Sequence, residues 1–193
     1  MMKIKLGVSG DPGSFSEEAG LNYAERAGIE PSLIHLTDME SVLSAVEKET
    51  VDMGIFPVVN LHGGLVNPAF KAMGRHLFLP IDEYWLDVKQ CLLTLPGTAI
   101  HQIDNIVSHS QGIAQCRHYL KERFHHIEWK EWIDTARAAH DLAKGLLPPT
   151  AAVIAPERAS EIYGLKVMAK NIQDHSPNLT AFIIVKKYNG KES

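Results

Sequence analysis

Thr180 heads the run Asn178-Leu179-Thr180-Ala181-Phe182-Ile183-Ile184-Val185, whose apolar half suits a buried strand while the hydroxyl at its start can face a cleft. A hydroxyl held there can hand a proton to a departing oxygen, provided its neighbours hold the substrate in line. Further candidates recur after successive strands: Ser14 and Ser16, Ser108 and Ser110, and Thr135 each open a helix. Helix starts expose unpaired N–H groups and a partial positive charge, so they hold carboxylates and phosphates without a lysine. Asn60 lies in a turn, His109 sits beside Ser108 directly after a strand, and Gln111 follows in the next helix. Together these predict a site for a small anion, with Thr180 as proton donor. Each hydroxyl also has the plainer role of capping its own helix. A structural role is equally open to His109, and the adjacent Ser108 and His109 do not form a nucleophilic dyad.

Other chemistries lack their residues. His125-His126 are adjacent, no His-Glu-x-x-His or Cys-x-x-Cys occurs, and neither a metal nor a cofactor is expected. Gly10-Asp11-Pro12-Gly13 lacks the Gly-Lys-Ser/Thr ending of a nucleotide phosphate loop. Trp129 and Trp132 are expected in the core. A net charge of −4, with no basic run longer than a pair, excludes a general nucleic-acid or acidic-membrane partner. No window approaches the roughly 18 apolar residues of a membrane helix, and residues 1–8 read as an N-terminal strand rather than a signal peptide. Cys91 and Cys116, isolated and only two, suit a reducing compartment, with the cytoplasm as the expected location.

The elements that position these residues alternate. Ile4 to Val8 reads as a strand, and Ser14-Phe15-Ser16-Glu17 has capping-box spacing before a helix that Gly28 stops. Leu33 to Leu36 is a strand, Thr37-Asp38-Met39-Glu40 a second capping-box spacing, and Val51 to Phe56 a third strand closed by Pro57. A crossing is expected near Leu79-Ile81. Beyond it lie strands at Val88–Thr94 and Ile106-Val107, a helix over 111–124, the run Ile127–Trp132, where Trp129 and Trp132 suit a helix face or a strand edge, and a helix capped by Asp134 or Thr135. Ala151 to Ile154 is a strand and Pro156 to Tyr163 a helix stopped by Gly164; the chain then returns through Val167-Met168 to the Thr180 strand. This is an α/β chain of 193 residues with a mostly parallel sheet in each of two lobes, about 1–79 plus 172–193 and about 80–171. A cleft between lobes, lined by strand C-termini and helix N-termini, is the expected site.

Five stretches in register carry a family resemblance. Gly10-Asp11-Pro12-Gly13-Ser14-Phe15-Ser16 is similar to Gly-Pro-x-Gly-Thr-Phe-Ser, and Pro57-Val58-Val59-Asn60-Leu61 to Pro-Ile-Glu-Asn-Ser. Ser108-His109-Ser110-Gln111-Gly112-Ile113-Ala114-Gln115-Cys116 is similar to Ser-His-Pro-Gln-Ala-Leu-x-Gln-Cys. Thr135-Ala136-x-Ala138-Ala139 matches Ser-Thr-Ala-x-Ala-Ala, and Asn178-Leu179-Thr180-Ala181-Phe182 matches Asn-x-Thr-Arg-Phe, with Tyr163-Gly164-Leu165 as a further landmark. The chain resembles the prephenate dehydratases over about residues 3–187.

That resemblance implies a fold like type II periplasmic binding proteins and a carbon–oxygen lyase that converts prephenate to phenylpyruvate in phenylalanine biosynthesis. It implies Thr180 as the catalytic residue, with Ser14, Asn60, Ser108, His109, Gln111 and Thr135 binding substrate. Such lobed enzymes often pair, so a homodimer is expected. The chain ends soon after Val185, so neither a regulatory ACT domain nor a chorismate mutase domain is expected. Three departures remove a charged or polar side chain of the pattern: Val59 and Leu61 replace Glu and Ser, and Ala181 replaces Arg. Losing one such polar contact to substrate can cost about 2–4 kcal/mol of transition-state stabilisation. The departures therefore leave two alternatives on the same scaffold, a prephenate decarboxylase and a non-catalytic binder of an aromatic or dicarboxylate metabolite.

Overall fold

The computed structural model describes residues 3–190; Met1 and Met2, which open the run read as the first strand, lie outside the described residues, as do residues 191–193. In chain order the first elements are β1 (Ile4–Ser9), α1 (Phe15–Ala27), β2 (Pro31–Leu36), α2 (Met39–Glu47), β3 (Met53–Asn60), β4 (Gly64–Leu65), α3 (Asn67–Met73) and β5 (Phe78–Asp87). There follow β6 (Cys91–Thr94), β7 (Asn105–Ser108), α4 (Ser110–Gln115), α5 (Arg117–Arg123), β8 (Glu128–Glu131), α6 (Thr135–Ala143), β9 (Ala151–Ala155), α7 (Glu157–Tyr163), β10 (Lys166–Ala169) and β11 (Leu179–Lys187). Two compact units result. Among the described residues, one comprises 3–11, 15–87 and 179–190, the other 12–14 and 88–178.

The first unit is built on a sheet of order β2-β1-β3-β11-β5, with β4 beside β3. Strand–helix–strand connections make β1 parallel to both β2 and β3, whereas β11 runs antiparallel to β3 and β5. One face carries Leu6, Val8 and Ile55 against α1. Gly20 permits this approach, since a Cβ there would lie 3.2 Å from Val8 Cγ1. The other face carries Phe56 and Val185 against Val42 and Val46 of α2. There Gly54 is required, because a Cβ would fall 2.6 Å from Val42 Cγ1.

The second unit has sheet order β10-β6-β9-β7-β8. Its β8-β7-β9 part is parallel and its β9-β6-β10 part antiparallel. The two-sheet α/β architecture is therefore as expected, with parallel pairing confined to the strand–helix–strand part of each mixed sheet. Its core joins Leu93, Val107 and Val153 to Ala138, Ala139 and Leu142 of α6 on one side. On the other it joins Ile106 and Ile154 to Cys116 and Leu120. Among the described residues no helix is long and apolar enough to cross a membrane.

Several boundaries differ from the sequence reading, each for a local reason. Pro57 does not end β3: the pairing with β11 shifts register there, Ala181 facing Val59 and Phe182 facing Pro57, so a bulge absorbs the missing N–H. Asp38, not Thr37, caps α2, accepting from Ser41 N at 2.8 Å. The segment around Leu79-Ile81 is not a crossing but the middle of β5, and the chain changes unit at Asp87-Val88 and Asn178-Leu179. The helix expected over 111–124 breaks at Cys116 (φ −111°, ψ 16°). The carboxylate of Asp174 caps the second piece by accepting from His118 N and Tyr119 N. A cap donated from more than fifty residues away leaves no local trace in the sequence.

Candidate functional site

In the first unit, Thr180 and Asn60 are direct cross-strand partners on β11 and β3, and both are buried. Asn60 is held from two sides. Its Oδ1 accepts from the N–H groups of Gly63 (2.7 Å) and His62 (3.0 Å) in the turn that follows, so its Nδ2 is aimed at β11. That group donates to Thr180 Oγ1 at 2.8 Å and to Leu179 O at 3.2 Å. The direction matters. Thr180 Oγ1 accepts from the amide, and no acceptor takes its own proton among the described residues. A hydroxyl so polarised is prepared to donate, and the amide remains to stabilise the oxygen as its proton leaves.

In the second unit, Ser108 at the end of β7 is fully buried and donates to Ile154 O at 2.7 Å. Ser108 and Thr135 converge on Gly112, where a Cβ would lie 2.7 Å from Ser108 Oγ and 3.3 Å from Thr135 Cγ2. Asp134 caps α6 through Ala136 N (2.8 Å) and Arg137 N (3.0 Å). The buried Thr135 is thereby relieved of capping, and its hydroxyl makes no hydrogen bond among the described residues. His109 Nδ1 accepts from Gln111 N at 3.3 Å, which places the proton of the neutral ring on Nε2. Gln111 is exposed, and Ser14 is buried in the segment 12–14 that packs with this unit. Burial pushes the Cys116 thiol well above its ordinary range, so it offers no thiolate.

One group of residues escapes sequence reasoning. Gln115 Oε1 accepts from both Gln90 Nε2 and Asn178 Nδ2 at 3.0 Å. Val88 N donates to Asn178 O at 2.9 Å, and Asn178 Nδ2 also donates to Val88 O at 3.2 Å. These amides knit together the two places where the chain enters and leaves the second unit, Val88 and Asn178. Gln115 and Asn178 belong to the motifs quoted above, but their joining in one network is not visible in a linear sequence.

The strand register also explains how two departures belong together. Side chains alternate along β11, so Thr180 shares a face with Ile184 and Ile55, while Ala181 points to the opposite face with Ile183 and Val185. Ala181 pairs directly with Val59. An Arg and a Glu at these positions would stand opposite each other as a cross-strand ion pair, and here both are apolar. Leu61 is exposed, and its contribution to β11 is through the backbone, Leu61 N to Leu179 O at 2.8 Å.

A family model described as prephenate dehydratase matches residues 6–190. The chain belongs to the prephenate dehydratase family. It is 35% identical over 182 residues to the arogenate dehydratase/prephenate dehydratase 6 of Arabidopsis thaliana, covering 94% of this chain and 43% of that protein. The chain thus spans less than half the length of that relative. Among solved structures, the prephenate dehydratase of Arthrobacter aurescens in complex with L-Phe superimposes with a TM-score of 0.85 at 25% identity, over 97% of this chain and 61% of that one. A periplasmic substrate-binding protein of an ABC transporter from Coxiella burnetii shares the fold, with a TM-score of 0.51 at 15% identity over 95% of this chain and 84% of that one.

Proposed function

We propose that the protein is a dehydratase acting on prephenate, with Thr180 as the acid that protonates the leaving hydroxyl. The carboxylate on the ring departs as CO2, and its C–C bonding pair enters the ring as the opposite C–O bond breaks. The hydroxyl takes the Thr180 proton and leaves as water; solvent returns a proton to Thr180. Prephenate becomes phenylpyruvate, and aromatisation drives the step. The enzyme's task is alignment and protonation of a poor leaving group. A threonine is a weak acid, so the Asn60 amide on its oxygen is the observation that carries this reading. Ser14, His109, Gln111 and Thr135 serve the substrate's carboxylates through hydroxyl, imidazole N–H and backbone donors, while Ser108, fully buried with its proton on Ile154 O, supports the turn that carries His109. The hydroxyl of Thr135 and the Nε2 side of His109 are the groups best suited to those carboxylates.

The name of the Arabidopsis relative covers both arogenate and prephenate. The two substrates differ by an amine in place of a ketone on the side chain, so both belong in the assay. Purified protein incubated with each is followed for the aromatic product, phenylpyruvate or phenylalanine, with release of CO2. Formation of a non-aromatic keto acid that keeps the ring hydroxyl would replace dehydration with simple decarboxylation. Tight binding of phenylpyruvate without turnover would leave a binder.

A further inference from the structure

The segment Pro12–Ser14 packs with the second unit although the residues on either side of it pack with the first. Helix α7 is what receives it. Tyr163 Oη donates to Pro12 O at 2.7 Å across 151 residues of sequence. One residue further on, Gly13 adopts φ +83°, and a Cβ on it would lie 3.0 Å from Ala159 Cα and 3.3 Å from Ala159 Cβ. Ala159 and Tyr163 are four residues apart and share one face of α7. That face therefore presents a small residue where the loop backbone presses closest and a hydroxyl where the loop carbonyl needs a donor. Tyr163 is itself steadied: its ring meets the His140 ring edge-on at 5.5 Å between centroids, and His140 Nδ1 lies 2.8 Å from Asp141 Oδ1. Asp141 is fixed in turn by Trp132 Nε1 at 2.9 Å and Arg137 Nε at 3.0 Å. The loop thus rests on a braced tyrosine, and the residue it delivers next is Ser14.

We propose that Tyr163 is a positioning residue for substrate binding, holding Pro12 and Gly13 so that Ser14 meets a substrate carboxylate. This rests on the assignment of Ser14 to prephenate binding, and its test separates the two. Tyr163→Phe keeps the ring and its contact with His140 and removes only the hydroxyl. The expected result is a rise of about tenfold in KM for prephenate with kcat within twofold of wild type, because an anchor acting on ground and transition states alike changes binding rather than chemistry. Hydrogen exchange measured by mass spectrometry should accelerate about tenfold in peptides spanning residues 10–16, with β7 unchanged. Gly13→Ala, strained by its positive φ and by its contact with Ala159, should move both readouts in the same direction and further. Faster exchange with an unchanged KM would make the tether purely structural and overturn the proposal, as would unchanged exchange. If wild-type protein leaves prephenate untouched, the dehydratase reading fails, while the exchange measurement still decides whether Tyr163 holds the loop.

Discussion

Replacing Asn60 with Asp is the sharpest perturbation of the Thr180 site, because it leaves the shape and inverts one hydrogen bond. Asp keeps an oxygen for the two turn N–H groups of His62 and Gly63, so the β3–β4 turn is retained. It replaces the Nδ2 group that donates to Thr180 Oγ1 and Leu179 O with a second acceptor. Thr180 must then turn its own proton toward the carboxylate, and the negative charge opposes its departure. Loss of one donor to an oxygen that gains charge in the transition state is worth about 2.7–4 kcal/mol, or 10²–10³ in kcat. Stability should fall by about 1–2 kcal/mol, since the side-chain bond to Leu179 O is lost and the new repulsion there is not relieved by solvent.

 The two oxygens now facing each other at Leu179 make that the larger part of the loss. Asn60→Ala gives up the turn contacts as well and should cost about 1 kcal/mol more for each. The assay is phenylpyruvate formation at saturating prephenate, with urea unfolding of the same preparations. Lowering the pH should restore part of the Asn60→Asp activity, since a protonated carboxyl can again donate to Thr180. A kcat within tenfold of wild type, or a rate indifferent to pH over the carboxyl range, would show that the Asn60 amide does not support Thr180.

Other outcomes follow from the same geometry. Ala181→Arg alone puts a guanidinium at a buried position opposite Val59 and should destabilise the fold by about 3–5 kcal/mol. Adding Val59→Glu should recover at least about 1 kcal/mol of that in urea unfolding, and strict additivity of the two would show that they are not a pair. Gly112→Ala pushes a methyl group to 2.7 Å from Ser108 Oγ, so a shift of α4 should raise KM for prephenate severalfold, read from initial rates. His76 bridges Glu47 at 2.8 Å and Glu40 at 2.9 Å, one carboxylate on each ring nitrogen, and only the imidazolium can donate to both. Its hydrogen bond to Glu47, and after that the contact with Glu40, outweigh partial burial and raise its pKa above the ordinary 6.5. A raised folded pKa gives stability that is fully present below the unfolded value and lost as pH rises through the folded one. Wild-type stability should therefore decline across that window relative to His76→Gln, and parallel pH profiles would contradict the bridge.

The fold was legible where local patterns decide it. Capping spacing and glycine stops located α1 and α7, and apolar runs located β1, β7 and β9, because those signals lie within a few residues of what they shape. The strand carrying Thr180 was legible for the same reason. Elements set by distant partners were not. The path of β3 through Pro57 depends on a bulge against β11, and the break at Cys116 depends on Asp174. Hydroxyl-led helix starts single out Ser14, Ser108 and Thr135 as candidates, but only the three-dimensional arrangement shows that Ser108 donates to Ile154 O and that Asp134 leaves Thr135 its hydroxyl. The opposition of Val59 and Ala181 is a matter of register, which spacing 122 residues apart does not reveal.

The most direct measurement is prephenate turnover by wild-type protein, Thr180→Ser and Thr180→Ala, each confirmed as folded by its unfolding transition. Wild type should form phenylpyruvate, Thr180→Ser, which keeps a hydroxyl for Asn60, should do so at a reduced but measurable rate, and Thr180→Ala should lose about 10²–10⁴ in kcat. A Thr180→Ala protein that forms phenylpyruvate at the wild-type rate would contradict Thr180 as the proton donor.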